Sequence, residues 1–378
     1  MENPMIYLDN AATTPMREEV IETMHSCMKD VYGNPSSIHQ AGRKARVLVE
    51  RARRIVSKKL NVSPSEIFFT SGGTEANNAI LWGCYKDLGK KHFITSPLEH
   101  PAVLHSVESI ARYHNAGVSL IDIDSKGHVD LEHLEFLLKE NPGSVVSLMH
   151  ANNEIGNLMP MNAVSKLCRQ FDALFHSDMV QTMGKLHLDL QALDVDFAVA
   201  SAHKFHGPKG AGLMFVRKGK SFRPWIMGGG QERNMRAGTE NIYGIAGLAK
   251  ALELAEDTMG MDQEHINNLR GMFLQLVKEK LPDVSFNGDA EGSALNTIVN
   301  LSLPEKINSE MLLPNLDIAG FCVSSGSACS SGSTTGSHVL TAMGVSDDRP
   351  SLRVSFSRFN TIEEVQNFVE VLRRLCHE

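Results

Sequence analysis

Positive charge is in deficit. The 378 residues carry 37 Lys and Arg against 44 Asp and Glu, a net charge of −7. No global field exists to gather nucleic acid or an anionic membrane, so any anion site must be local. Cysteine is sparse and unpatterned: the six (Cys27, Cys84, Cys168, Cys322, Cys329 and Cys376) include no C-x-x-C pair. That argues against a disulfide framework or a zinc ribbon and predicts a reducing compartment. Long apolar runs are also missing, since nowhere do about 18 consecutive apolar residues occur. Met1 to Met5 lack the basic stretch and apolar run of a secretory signal. A cytoplasmic protein that binds neither membrane nor nucleic acid is expected.

What is present is ordinary globular material, 42% hydrophobic and 21% charged, with length enough for two domains. Short β-branched runs alternate with amphipathic stretches from about residue 66 to 219, the pattern of helices packed on a largely parallel sheet. The strand candidates are Glu66 to Thr70, His92 to Ser96, Val118 to Ile123, Ser144 to Met149, Leu174 to Asp178, Phe197 to Ser201 and Gly212 to Arg217. An α/β fold with a seven-stranded sheet follows. Before it, Leu48, Ala52, Ile55, Val56 and Leu60 recur at helical spacing between basic residues, so 43–60 reads as a surface helix with a solvated charged face. After it, 242–257 and 263–280 read as two helical stretches. They lead into a smaller α+β unit with strands at 296–301, 320–324 and 352–356 and a terminal helix from Thr361. The expected division is a large domain of residues 15–258 and a small one of 1–14 plus 259–378. Residues 324–337 hold seven serines and three glycines around Cys329, a composition that predicts a mobile loop.

Several segments could carry chemistry. Phe69 to Glu75 follows a strand and opens a helix, placing small residues and backbone N–H groups where the helix dipole favours phosphate. It matches neither the dinucleotide nor the Walker pattern, and a plain tight turn explains it equally well. Asp178 ends one strand and Lys204 follows the end of the next, at the edge where α/β ligands bind. Lys204 is either a snorkelling surface residue or an amine held for Schiff-base chemistry, and the residues alone leave both open. Histidines 100, 150, 176, 203 and 206 form no H-E-x-x-H pair, so no metal is expected. Cys27 and Cys168 sit in helical patterns and read as core, whereas Cys329, in its Ser/Gly loop, reads as exposed.

Together these segments resemble the cysteine desulfurases of the NifS/IscS type, within the class V aminotransferases and the fold-type-I pyridoxal-phosphate enzymes. The likeness runs through Tyr7 to Pro15, Tyr32 to Ser37, Thr70 to Asn77, Glu99-His100, Asn152 to Gly156, Ser201 to Gly210, Arg236 to Thr239, Ser324 to Ser331 and Arg353 to Phe359. The resemblance implies a homodimeric enzyme that converts L-cysteine to L-alanine and passes the sulfur to an enzyme persulfide. A sulfur-acceptor protein then receives it, for iron–sulfur cluster, thiolated cofactor or tRNA biosynthesis. By the same likeness Lys204 carries pyridoxal 5'-phosphate and moves protons at Cα, and Asp178 holds the pyridine nitrogen protonated. Gln181 and Asn153 lie near the phenolic oxygen. His100 stacks on the ring and serves as an acid or base. Gly73, Thr74, Ser201 and His203 bind the phosphate, joined by Thr239 from a second subunit. Arg353, with Asn34 beside it, takes the substrate carboxylate, and Cys329 accepts the sulfur.

The alternatives are a selenocysteine lyase or another class V aminotransferase, which share the cofactor residues, and a non-catalytic sulfur-carrier or scaffold-binding protein that has kept the fold. Cys329 argues against transamination, and the Lys204, Asp178 and Cys329 set argues against a carrier. The chain departs from the family pattern at His176 to Val180 before Gln181, where repacking alone is expected. Thr334-Thr335-Gly336 follows Cys329 where the family has Leu-Glu-Pro, and the chain stops at Glu378 without the longer tail of housekeeping members. An acceptor other than a generic iron–sulfur scaffold is therefore expected.

Overall fold

Neighbouring apolar residues in the central strands point to opposite faces of one sheet. Phe68 and Phe69, Phe93 and Ile94, Leu174 and Phe175, and Met214 and Phe215 divide between two separate buried clusters. A strand without a polar face must be covered on both sides. The computed structural model, which describes residues 5–325 and 336–377, shows that cover.

The strands are β1 (Ile6–Tyr7), β2 (Ile67–Thr70), β3 (His92–Thr95), β4 (Gly117–Leu120), β5 (Val145–Ser147), β6 (Leu174–Asp178), β7 (Phe197–Ser201), β8 (Gly212–Val216), β9 (Ser285–Asn287), β10 (Ile298–Ser302), β11 (Phe321–Cys322) and β12 (Ser351–Ser355). Helices α1 (Glu18–Asp30), α2 (Gln40–Lys59), α3 (Gly73–Lys86), α4 (Pro101–His114), α5 (Leu131–Glu140) and α6 (Met161–Gln170) precede or separate the sheet strands. They are followed by α7 (Ile242–Lys280), α8 (Ser309–Ile318), α9 (His338–Ala342) and α10 (Ile362–His377).

The seven-stranded sheet has the order β2-β8-β7-β6-β5-β3-β4. It is parallel except for β8, which runs antiparallel to both β2 and β7. Apolar residues of α2, α5, α6 and the first half of α7 cover one face, and those of α3 and α4 cover the other. Each side chain such as Phe93 or Phe175, wholly removed from water, stabilises the fold by about 1.5–3 kcal/mol. The carboxyl ends of β2, β6 and β7 share one edge, which fixes where Asp178 and Ser201 emerge. A third cluster joins Leu8, the second half of α7, and residues of β10, β12 and α10. Here β1 pairs in parallel with β11, so the chain's first strand packs beside its last third. No helix among the described residues is long and apolar enough to cross a membrane.

Two expectations need correction. The stretches 242–257 and 263–280 are one unbroken 39-residue helix. The apolar signal fades between Ala255, at the end of one core, and Ile266, at the start of the next, yet the backbone ladder continues through exposed Gly260. Thr258 Oγ1 donates to Asp262 Oδ2 at 2.8 Å across that turn, and Arg17 and Arg358 both pair with the same carboxylate. The expected domain boundary at 258/259 thus falls inside α7. Likewise, the charged face of α2 is not wholly solvated. Arg53 is 2% exposed and forks onto Glu232 with two 2.8 Å bonds, its guanidinium 4.9 Å from the Phe69 ring centre. Glu232 also accepts from the Phe69 N–H, so the pair ties the 231–234 segment to the sheet.

Candidate active site

At the sheet edge a cleft of about 230 Å³ opens between the two cores. Gly73, Thr74, His100, Asn153, Asp178, Gln181, Ser201, His203, Lys204 and Arg353 all line it, with Asn77, Ala11 and Ala12. Ten residues singled out from the sequence therefore meet in one place.

Each arrives by a local device. Asp178 is the last residue of β6, buried, with Oδ2 accepting from Asn77 Nδ2 at 2.7 Å and Oδ1 from the Val180 N–H at 2.9 Å. Lys204 sits on the single 3-10 turn (Ala202–Lys204) that ends β7, and its Nζ donates to the carbonyls of Ala11 at 2.7 Å and Ala12 at 2.8 Å. Those carbonyls belong to the N-terminal segment, which Thr14 pins to the His203 carbonyl through N–H and Oγ1 bonds of 2.9 Å each. His100 caps α4, its Nδ1 accepting from the Ala102 N–H at 3.1 Å. Burial lowers its pKa, the charge of Asp178 opposes that shift, and the charge of Lys204 reinforces it. His203 shares a 3.1 Å bond with Thr13 and is brought down to about 4 by burial and by the charges of Lys204, Lys209 and Lys185. Both imidazoles are thus biased toward neutrality.

Glu99, next to His100, is buried with Oε1 accepting from the Met149 N–H at 2.6 Å. Burial pushes its carboxyl well up, and Asp178 adds to that against the Met149 bond. Arg353, 1% exposed on β12, donates to the Asn153 carbonyl and to Asp9 Oδ1, each at 2.9 Å. Its buried Nε finds no partner among the described residues.

The residues fit pyridoxal phosphate. Helix α3 begins at Gly73, and a Cβ there would lie 2.7 Å from Val180 Cγ2, so the helix end is shaped to a residue without a side chain. A Cβ on Gly72 would stand 3.5 Å from Ser201 Oγ, which brings that hydroxyl to the same helix end. Backbone N–H groups at a helix start suit a phosphate. A buried carboxylate, an imidazole in the cleft wall and a lysine amine complete a set of groups suited to a cationic ring nitrogen and an aldehyde.

Three sequence expectations lie elsewhere. Asn34 is exposed, with Oδ1 accepting from the Ser36 N–H at 2.9 Å, and the structure does not place it in the cleft beside Arg353. Thr239 is exposed outside the cleft wall, close in sequence to Arg236, which forks onto Glu75 at 2.9 and 3.2 Å. That pairing and the Ser71 N–H hold Glu75 below its usual value against burial. Cys329 lies outside the described residues, as do Thr334 and Thr335. Two positions went unnoticed: Asn77, the support of Asp178, and Lys185, which donates to Gln181. Both fall at one-turn spacing from a functional residue, a signal too common to single them out.

Residues 6–368 match the family described as aminotransferase class-V. A cysteine desulfurase, IscS, of Dictyoglomus turgidum is 41% identical over 99% of this chain and 95% of its own. The cysteine desulfurase IscS of Methanosarcina thermophila is 39% identical, over 100% of this chain and 93% of its own. Among solved structures, a NifS-like protein superposes with a TM-score of 0.90 at 38% identity, covering 98% of each chain.

Proposed function

The chain belongs to the aminotransferase class-V family; it is a pyridoxal-phosphate-dependent cysteine desulfurase, and we propose the residues by which it works. The observation that carries the assignment is the convergence of Lys204, Asp178, His100 and Arg353 on one cleft. Bound pyridoxal phosphate supplies an electron sink that makes the Cα–H and Cβ–S bonds of L-cysteine cleavable.

Lys204 is the attachment point and the base that moves the Cα proton. As an ammonium it is held by the Ala11 and Ala12 carbonyls. Asp178, fixed by Asn77 and the Val180 N–H, keeps the ring nitrogen protonated. Gly73, Thr74, Ser201 and His203 hold the phosphate, and Asn153 and Gln181 contact the phenolic side. His100, biased toward its neutral form by burial, lies against the ring face and serves as the acid or base. Arg353, which lines the cleft, takes the substrate carboxylate.

Cys329 is the sulfur acceptor: its thiolate bonds to the substrate sulfur as the Cβ–S bond breaks, leaving alanine once Cβ is protonated. The other five cysteines support this by elimination, because burial pushes every one of their thiols up. All five are free, which supports a reducing, cytoplasmic setting. The enzyme works as a homodimer in which Thr239, exposed on one copy, reaches the phosphate of the other. The persulfide sulfur then passes to an acceptor protein for iron–sulfur cluster assembly. A single turnover, with the protein in excess over L-cysteine and no other thiol, tests the assignment: alanine and a protein persulfide on Cys329 should appear in equal amounts, and alanine without persulfide would overturn the role of Cys329.

A further inference from the structure

Gln181 is held at both ends by groups that leave its amide one orientation. Its Nε2 donates to the Ala11 carbonyl at 3.0 Å, and its Oε1 accepts from Lys185 Nζ at 3.0 Å. Turned over, the amide would set donor against donor at the lysine and acceptor against acceptor at the carbonyl. The Ala11 carbonyl also accepts from Lys204 Nζ at 2.7 Å. One run of hydrogen bonds therefore joins Lys185 to Lys204 through Gln181 and Ala11.

Lys185 stands behind the cleft rather than in it. It lines a separate cavity of about 40 Å³, whose wall it shares with Lys204. The other charged or titratable groups around that cavity are Arg17, His206, Asp262 and Arg358. Burial, then the charges of Lys204 and Arg353, bring the Lys185 amine down to about 7. Lys185 adds in turn to the lowering of His203 and His206. An amine keeps its N–H donors after losing a proton, so Lys185 can hold Gln181 without setting a second full charge beside Lys204.

Taking Lys204 as the cofactor lysine, a premise of this inference, we propose that Lys185 is a positioning residue. Through Gln181 and the Ala11 carbonyl it fixes where the Lys204 amine sits and how readily that amine gives up its proton. Lys185 does not line the cleft, so it acts on Lys204 through these partners and through its own charge.

The test uses the full chain with Lys185→Met and Lys185→Arg. In the cofactor-free protein, competitive acetylation followed by peptide mass spectrometry gives the pH at which Lys204 is half reactive. In the loaded protein, the pH midpoint of the visible absorbance reports on the same nitrogen. Methionine removes the donor, releases Gln181 and leaves the Ala11 carbonyl to Lys204, so both midpoints should rise by roughly half a unit. Arginine installs a permanent cation, and both should fall by about one unit. Gln181→Leu cuts the run at its middle and should reproduce the methionine shift, even if a lysine variant fails to fold. Midpoints that stay put, or that move in the same direction in the methionine and arginine variants, overturn the proposal. A chain that takes up no pyridoxal phosphate while its acetylation midpoints still move apart would sink the premise and leave the coupling standing.

Discussion

Asp9 Oδ1 stands 2.9 Å from Nη2 of Arg353, so the arginine assigned to the substrate carboxylate is already engaged by an internal one. The same Asp9 oxygen accepts from Ser324 Oγ at 3.1 Å. An incoming carboxylate must therefore compete with a resident charge.

Asp9→Asn keeps the shape and an acceptor oxygen while removing that charge. We expect the KM for L-cysteine to fall about threefold, equivalent to roughly 0.7 kcal/mol, with little change in kcat. Steady-state kinetics decide the matter, and a higher KM would mean that Asp9 chiefly orients the guanidinium.

Lys204→Ala and Cys329→Ser should stall the enzyme at different stages. The first should abolish covalent attachment, so that borohydride reduction and peptide mapping find no cofactor-bearing lysine. The second should leave attachment and substrate binding intact, because those rest on Lys204, Asp178 and Arg353. Persulfide formation should nevertheless drop by more than about a hundredfold, since a hydroxyl cannot replace a thiolate as the attacking group. Full alanine production by the serine variant would remove Cys329 from the reaction.

Sharing of the site between copies can be read by complementation. A Lys204→Ala protomer mixed with a Thr239→Ala protomer should form heterodimers in which one site carries both lesions and the other neither. Activity above either parent is expected, and its absence in verified heterodimers would confine each site to a single chain.

Acid should weaken the fold in a defined window. Burial lowers His150 and His176 from 6.5 to about 4, so the unfolded chain binds protons that the native one excludes. The stability they contribute is complete above pH 6.5 and is lost as pH falls toward 4, by up to about 3 kcal/mol for each. Among the described residues, His176 has only Ser147 Oγ, at 2.8 Å, as a hydrogen-bond partner for its ring. In His176→Asn, urea midpoints measured between pH 7 and 4.5 should fall less steeply than in the parent chain. An unchanged slope would mean that His176 does not titrate on unfolding.

Much of this was legible because it is local. Asp178 and Lys204 sit where apolar runs end in a charge, and the strands at 174–178 and 197–201 match in every residue. Arg53 was misjudged because its partner, Glu232, is 179 residues away and no pattern within α2 reveals it. The acceptors of Lys204 were invisible for another reason: they are backbone carbonyls of two alanines, and any residue type would carry them. Asn34 was expected at Arg353 by likeness alone, and in the single chain it is exposed and does not line the cleft.

Helix α7 gives both cores a common beam. Its 39 residues span about 58 Å at the usual rise, with apolar contacts to the sheet at one end and to the β10 and β12 layer at the other. Such a rod resists pivoting, since a hinge would have to break its hydrogen-bond ladder. The helix thus adds a stiff support to the separation between Lys204 and Arg353, which the bond from Arg353 to the Asn153 carbonyl fixes directly. A substrate held by its carboxylate at Arg353 would meet the lysine amine across a span that folding has already set.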